Sequence, residues 1–157
     1  MGLYLGGYDH AARPEVMRAL GIKAVVNAVG PRCTNLYRNS FAYFTCTPTP
    51  GGDTGKDTLD LGETCRLIDA ALRAAAERIH GPPPAGGTPN VLVHCMSGVS
   101  RGPAAVIAFL MLRHGMGHEE ATGHVIARHP ATKVSRQLTQ ELAQFEAHLR
   151  SGPMPWA

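Results

Sequence analysis

Short, nearly continuous apolar runs alternate along this chain with segments in which apolar residues recur every three or four positions. "LYLGG" (Leu3–Gly7) predicts a short edge strand, and "KAVVNAVG" (Lys23–Gly30) a buried β-branched strand closed by glycine. "SFAYFTCTP" (Ser40–Pro48) reads as another strand, and "NVLVH" (Asn90–His94) as a strand covered on both faces. Helical spacing fills the intervals. In "RPEVMRALG", Pro14 suits a first helical position and Gly21 a helix end. From Leu61, apolar residues at Cys65, Ile68, Leu72 and Ile79 mark an amphipathic helix ending near Gly81. A buried helix is expected from about Gly102 to Arg113, and a shorter one in "HEEATGHVIARH". A last amphipathic helix carries Leu138, Leu142, Phe145 and Leu149.

Two loops interrupt this rhythm: the polar, glycine-rich "TPGGDTGKDT" (Thr49–Thr58) and the turn-rich "GPPPAGG". Alternating strands and helices predict an α/β fold, with a central, mostly parallel, twisted sheet of about four to five strands flanked by helices. One domain over residues 1–157 is expected, with "SGPMPWA" (residues 151–157) as a flexible tail. The chain shows no internal repeat and no linker.

Composition narrows the class. The chain has 157 residues, 44% hydrophobic and 17% charged, as in ordinary globular domains with a substantial core. A net charge of +3 suits an anionic substrate, but no basic stripe is present, so no nucleic-acid partner is expected. The longest apolar run, Ala104–Leu112, is too short to span a bilayer, so no membrane insertion is expected. No signal peptide or lipidation is expected from "MGLYLGG". The four cysteines (Cys33, Cys46, Cys65, Cys95) form no C-x-x-C pair. Neither a zinc site nor a disulfide framework follows, and a reducing, cytoplasmic setting is favoured, with the nucleus as a second compartment. No cofactor and no metal are expected.

The chemistry gathers at "NVLVHCMSGVSRGP". Cys95 closes a strand, Arg101 opens a helix, and Met96, Ser97, Gly98, Val99 and Ser100 lie between them. A loop at the carboxyl end of a sheet strand and at a helix N-terminus is where α/β proteins bind ligands. Its amides can converge on one anion, aided by the helix dipole, and Gly98 lets the backbone turn. Arg101 adds a planar fork of donors matched to two phosphate oxygens. The same field favours the Cys95 thiolate over the thiol. The loop therefore offers a nucleophile and a phosphate cradle together, which suggests attack of sulfur on phosphorus.

"VHCMSGVSRGPAAVIAFLM" resembles the signature of the cysteine-dependent protein tyrosine phosphatases, and specifically their small dual-specificity branch. "LYLGGYDHA", "ALGIKAVVNAV" and "LIDAAL" resemble other parts of that branch, so the likeness runs from about Leu3 to Leu149. It implies the tyrosine-phosphatase-like fold and hydrolysis of phosphotyrosine and phosphoserine or phosphothreonine in proteins, through a phosphocysteine. The alternatives are a phosphorylated glucan, inositol or lipid as substrate, or a module that binds phosphoproteins with little turnover. The resemblance makes Cys95 the nucleophile, Arg101 the phosphate clamp and the amides of Met96 to Arg101 the phosphate ligands. Ser97 and Ser100 either bond within the loop or fill polar positions. His94 supports the loop and the thiolate, and Asn27 braces the loop.

The family's general acid is an aspartate in the loop that "TPGGDTGKDTLDL" matches, with Asp53 the first candidate and Asp57 the second. Asp60 reads instead as a helix-entry residue. Gly102 departs from the Ser or Thr that most of the branch carries after the arginine, so release of the phosphocysteine is expected to be slower. Cys33 or Cys46 could serve as a resolving thiol for Cys95, with burial in the core as the plainer reading. Arg13, Arg32 and Arg38 could attract phosphopeptides, although exposed arginines are commonly solvated surface.

Overall fold

The computed structural model describes residues 2–47, 58–77 and 89–152. Their strands are β1 (Leu3–Gly6), β2 (Ile22–Asn27), β3 (Ala42–Thr45) and β4 (Asn90–His94). Their helices are α1 (Tyr8–Ala11), α2 (Pro14–Ala19), α3 (Leu61–Glu77), α4 (Arg101–His114), α5 (His118–Arg128) and α6 (Arg136–Arg150). The four strands form one sheet in the order β1-β4-β2-β3, and every neighbouring pair is parallel.

Alternation along the central strands sorts the core into two layers. Ala24 and Val26 of β2 and Val91 and Val93 of β4 face α3 to α6. Val25 and Leu92 point the other way, toward Ala11 and Met17 of α1 and α2 and toward Phe41. Ile22 joins this second layer although it shares the parity of Ala24, because the β2–β4 register shifts between Ile22 and Ala24. Such a shift turns a side chain to the opposite face. The apolar layers bind the strands continuously, which is why these runs read as buried strands and not as half-exposed ones.

α3 buries Leu61, Thr64, Cys65, Ile68, Ala71 and Ala75, the three-and-four spacing of one face. Leu72 lies at the edge of that cluster, and Ile79 and Gly81 fall outside the described residues. α4 is buried from Gly102 to Phe109, so it is the central helix of the larger layer. α6 presents Leu138, Leu142 and Phe145 to the core. Its start is capped by Ser135, whose Oγ accepts from Leu138 N–H at 3.2 Å.

Strand boundaries differ from expectation: β2 runs from Ile22 to Asn27 and not from Lys23 to Gly30, because Val29 and Gly30 N–H turn to Asn27 Oδ1. The first strand stops at Gly6, because Gly7 turns the chain into α1, four residues too short to show a helical period. The third strand begins at Ala42: Ser40 and Phe41 instead donate backbone N–H bonds to the Tyr37 carbonyl, forming a turn. It ends at Thr45, and Thr47 N–H turns to the Glu63 carboxylate at 3.2 Å.

Candidate active site

Register brings the carboxyl ends of all four strands to one edge. Gly6 pairs with His94, His94 with Asn27, and Asn27 with Thr45. The loop from Cys95 to Ser100 leaves that edge and enters α4 at Arg101. α4 carries no acidic residue in its first turn, so nothing opposes the positive end of its dipole there.

The loop's carbonyls are tied to its outside. Met96 O accepts from Tyr8 N–H at 3.0 Å, and Gly98 O from His129 Nε2 at 2.8 Å. Val99 O accepts from Lys133 N–H at 2.7 Å, and Ser100 O from Ala104 N–H at 2.9 Å. In a trans peptide the carbonyl and the following N–H point in opposite directions, and no cis bond is present among the described residues. Anchoring the carbonyls outward therefore aims the N–H groups of Ser97, Val99, Ser100 and Arg101 inward. Gly98 N–H donates to Cys95 Sγ at 3.2 Å. The inward amides make a site for an anion.

Gly98 has φ +77°. A Cβ there would lie 2.8 Å from Gly6 C and from Gly7 N. The loop can lie against the β1–α1 turn only because that position has no side chain. Cys95 N–H in turn donates to Gly6 O at 3.3 Å.

A cavity of about 230 Å³ opens over the loop, lined by Val29, Arg32, Cys95, Met96, Ser97, Ser100 and Arg101 among the described residues. Cys95 is only 3% exposed, and it lines this cavity. Arg101 and Arg32 both line the cavity. Of the three arginines that the sequence offers as attractors of phosphopeptides, Arg32 lines the cavity, whereas Arg13 and Arg38 do not. Ser100 has a structural use: its Oγ accepts from Ser135 N–H at 3.0 Å. Ser97 is exposed at the cavity rim.

His94 is 1% exposed, and its Nδ1 lies 3.4 Å from the Cys95 carbonyl. Since a carbonyl only accepts, Nδ1 carries the proton. Burial lowers its pKa, with the bond to Cys95 opposing, so the neutral ring is favoured. Asn27 braces a different loop from the one expected. Its Nδ2 donates to the carbonyls of Gly30 (3.2 Å) and Cys33 (2.8 Å) and to Asn35 Oδ1 (3.1 Å). Its Oδ1 accepts from the N–H groups of Val29 and Gly30. Asn27 thus shapes the loop after β2, which carries Val29 and Arg32 to the cavity, and not the Cys95 loop.

Asp53 and Asp57 lie outside the described residues. Asp60 caps α3: its Oδ1 accepts from Glu63 N–H at 2.9 Å, and its carbonyl from Thr64 N–H at 3.0 Å. Burial raises the thiols of Cys46 and Cys65 to about 11 and about 12, and it also raises Cys33. All four cysteines are free, and Cys33 and Cys46 are core residues protonated at neutral pH. Gly102 lies close enough to the nucleophile that a Cβ there would stand 3.5 Å from Cys95 Sγ and from Leu5 Cδ2, an ordinary contact.

Sequence reasoning missed the residues that hold the loop from outside: the Gly6–Gly7 turn, His129, and the backbone of Lys133 and Ser135. They come from distant stretches with no local signature. A second, larger cleft of about 660 Å³ lies between β1 and helices α3, α4 and α5. It is lined mainly by aliphatic and aromatic side chains and touches none of residues 95–101.

The chain is similar to known proteins along nearly its whole length. The family described as "Dual specificity phosphatase, catalytic domain" matches residues 3–148. Protein-tyrosine-phosphatase IBR5 of Arabidopsis thaliana is 39% identical over 144 residues, covering 92% of this chain and 48% of that protein. Human dual specificity protein phosphatase 4 is 30% identical over 147 residues, covering 94% of this chain and 34% of that protein. The chain thus spans about half the length, or less, of these curated relatives. A crystal structure of a human DUSP28 variant superposes with a TM-score of 0.70 at 26% identity, covering 95% of this chain and 92% of that one. With a family match over residues 3–148 and the fold in agreement, the chain belongs to the dual-specificity phosphatase catalytic-domain family.

Proposed function

We propose that this chain is a cysteine-dependent phosphatase that hydrolyses phosphate monoesters on protein tyrosine, serine and threonine side chains. One observation carries the reading: Cys95 and Arg101 line one cavity, together with the loop whose amides are aimed inward.

The phosphate binds against the N–H groups of residues 96–101 and the Arg101 guanidinium. Cys95 attacks phosphorus as the thiolate, forming an S–P bond while the P–O bond to the substrate breaks. The departing oxygen takes a proton from a carboxylic acid, assigned to Asp53 with Asp57 as its rival. Water then attacks phosphorus, giving its proton to the same carboxylate, and the S–P bond breaks to return the thiolate. Guanidinium and amides stabilise the charge on the phosphoryl oxygens in both steps. Among the described residues, the cavity is lined on one side by the exposed Met96 and Ser97.

Hydrolysis of para-nitrophenyl phosphate, followed between mildly acidic and neutral pH, tests the reading. The wild type should turn over, and Cys95→Ser should lower the rate by about 10³-fold or more. If both are equally inert, the enzyme reading fails. Phosphopeptide, phosphoinositide and phosphoglucan substrates in parallel then rank the substrate classes.

A further inference from the structure

We infer that His129 is a positioning residue for phosphate binding: it fixes the peptide between Gly98 and Val99 and so aims Val99 N–H into the cradle. The inference rests on the Cys95 loop binding phosphate.

Three of the loop's four tied carbonyls are held by other segments of the chain, the fourth, Ser100 O, by Ala104 N–H of the helix that the loop enters. Met96 O and Val99 O are held by the backbone N–H groups of Tyr8 and Lys133, which no substitution short of proline removes. Gly98 O is held by a side chain, His129 Nε2, 31 residues along the chain. That carbonyl can only accept, so Nε2 must carry a proton.

The peptide concerned is the one most in need of an external tie. Gly98 sits at φ +77° without a Cβ, so its own sterics restrain the neighbouring peptide least. On one side its N–H donates to Cys95 Sγ, and on the other its carbonyl meets His129. Gly98 is clamped between the nucleophile and the imidazole. Because the peptide is planar, rotation of the carbonyl away from His129 swings Val99 N–H by the same angle.

His129 is itself held in place. At the end of α5, its N–H donates to Val125 O at 2.8 Å, and its carbonyl accepts from Thr132 N–H at 3.0 Å and Thr132 Oγ1 at 2.7 Å. A donor fixed at both backbone ends is what preorganisation of a binding loop requires. His129 also forms part of the wall of the 660 Å³ cleft, so the ring has packing partners besides Gly98. The test must therefore separate donation from packing.

Gln and Glu have the same shape, but only Gln donates. His129→Gln, His129→Glu and His129→Leu are compared in steady-state hydrolysis of para-nitrophenyl phosphate, in inhibition by orthovanadate and in calorimetric binding of inorganic phosphate. Far-UV circular dichroism and Tm are recorded for each. His129→Gln should stay within about threefold of wild type. Glu and Leu should raise KM and the vanadate inhibition constant about tenfold, with kcat changed less, as expected when one donor is lost from both bound and transition states. Equal behaviour of Gln and Glu, or wild-type binding by Leu, overturns the inference. If Leu fails to fold, the Gln and Glu pair still decides. A wild type that neither turns over nor binds oxyanions would instead sink the phosphate-cradle reading, and this inference with it.

Discussion

Position 102 holds a glycine at the second residue of α4, against the sulfur that must leave in the last step of the proposed reaction. A serine there would place its Cβ 3.5 Å from Cys95 Sγ and from Leu5 Cδ2, with no displacement of either. Its hydroxyl would then be within reach of the sulfur. As the S–P bond breaks, negative charge grows on sulfur, and a hydroxyl donor stabilises that charge most at the transition state. The first step, in which the sulfur gives up charge to phosphorus, gains nothing from such a donor. Gly102→Ser should therefore shorten the lifetime of the phosphocysteine, raising steady-state turnover of an aryl phosphate by about threefold to tenfold. The burst of the first turnover should not rise. Rapid-quench measurement of the burst and of the phosphoenzyme decay checks this, and an unchanged decay would remove the explanation.

At the scale of elements, the loop before α3 poses a question that its cap answers. Asp53, Asp57 and Asp60 are three carboxylates in eight residues, and any of them satisfies the chemical need for an acid. Asp60 is occupied: its Oδ1 accepts from Glu63 N–H, satisfying one of the orphan donors of the helix start. Asp60→Asn keeps an acceptor oxygen but no acidic proton, so it should retain both activity and stability. Asp60→Ala should cost about 1 kcal/mol of stability, or roughly 2–4 °C in Tm, with kcat/KM unchanged. A large loss of kcat in Asp60→Asn would identify Asp60 as the acid instead. Such element-level features were readable where a period or a cap is local. α3 and α6 follow from apolar spacing, α4 from a continuous apolar run, and Cys95 and Arg101 from a strand, a short loop and a helix in direct succession. α1 was not readable, because four residues carry no period. His129 was not readable either, because the fold delivers it to the site from another loop, and nothing local set Arg32, which lines the cavity, apart from Arg13 and Arg38, which do not. The role of Asn27 was misplaced for the same reason: its partners at Gly30, Cys33 and Asn35 are set by the path of one loop, not by its position after a strand.

At the scale of the whole molecule, the site is welded to the core through β4. His94 is the last residue of that central strand, pairing with Gly6 on one side and Asn27 on the other. Its carbonyl accepts from Ala28 N–H at 2.9 Å, and its ring lies 6.0 Å from that of Tyr8 in α1. At 1% exposure the imidazole is cut off from water in the folded chain. Burial lowers the pKa of His94 in the folded chain below the ordinary value near 6.5 that it regains on unfolding. The unfolded chain therefore binds more protons in the window between the two values. Stability due to the neutral ring is fully present above about pH 6.5 and is lost as the pH falls toward the folded value. The urea midpoint of the wild type should accordingly fall between pH 7.5 and pH 5.5. His94→Gln should lower the midpoint at pH 7.5 through lost packing, yet show a shallower fall across the same range, because it removes the titrating group. The comparison of slopes isolates His94 whatever the variant's own stability. Parallel slopes for the two proteins would mean that His94 takes up its proton without opening the fold.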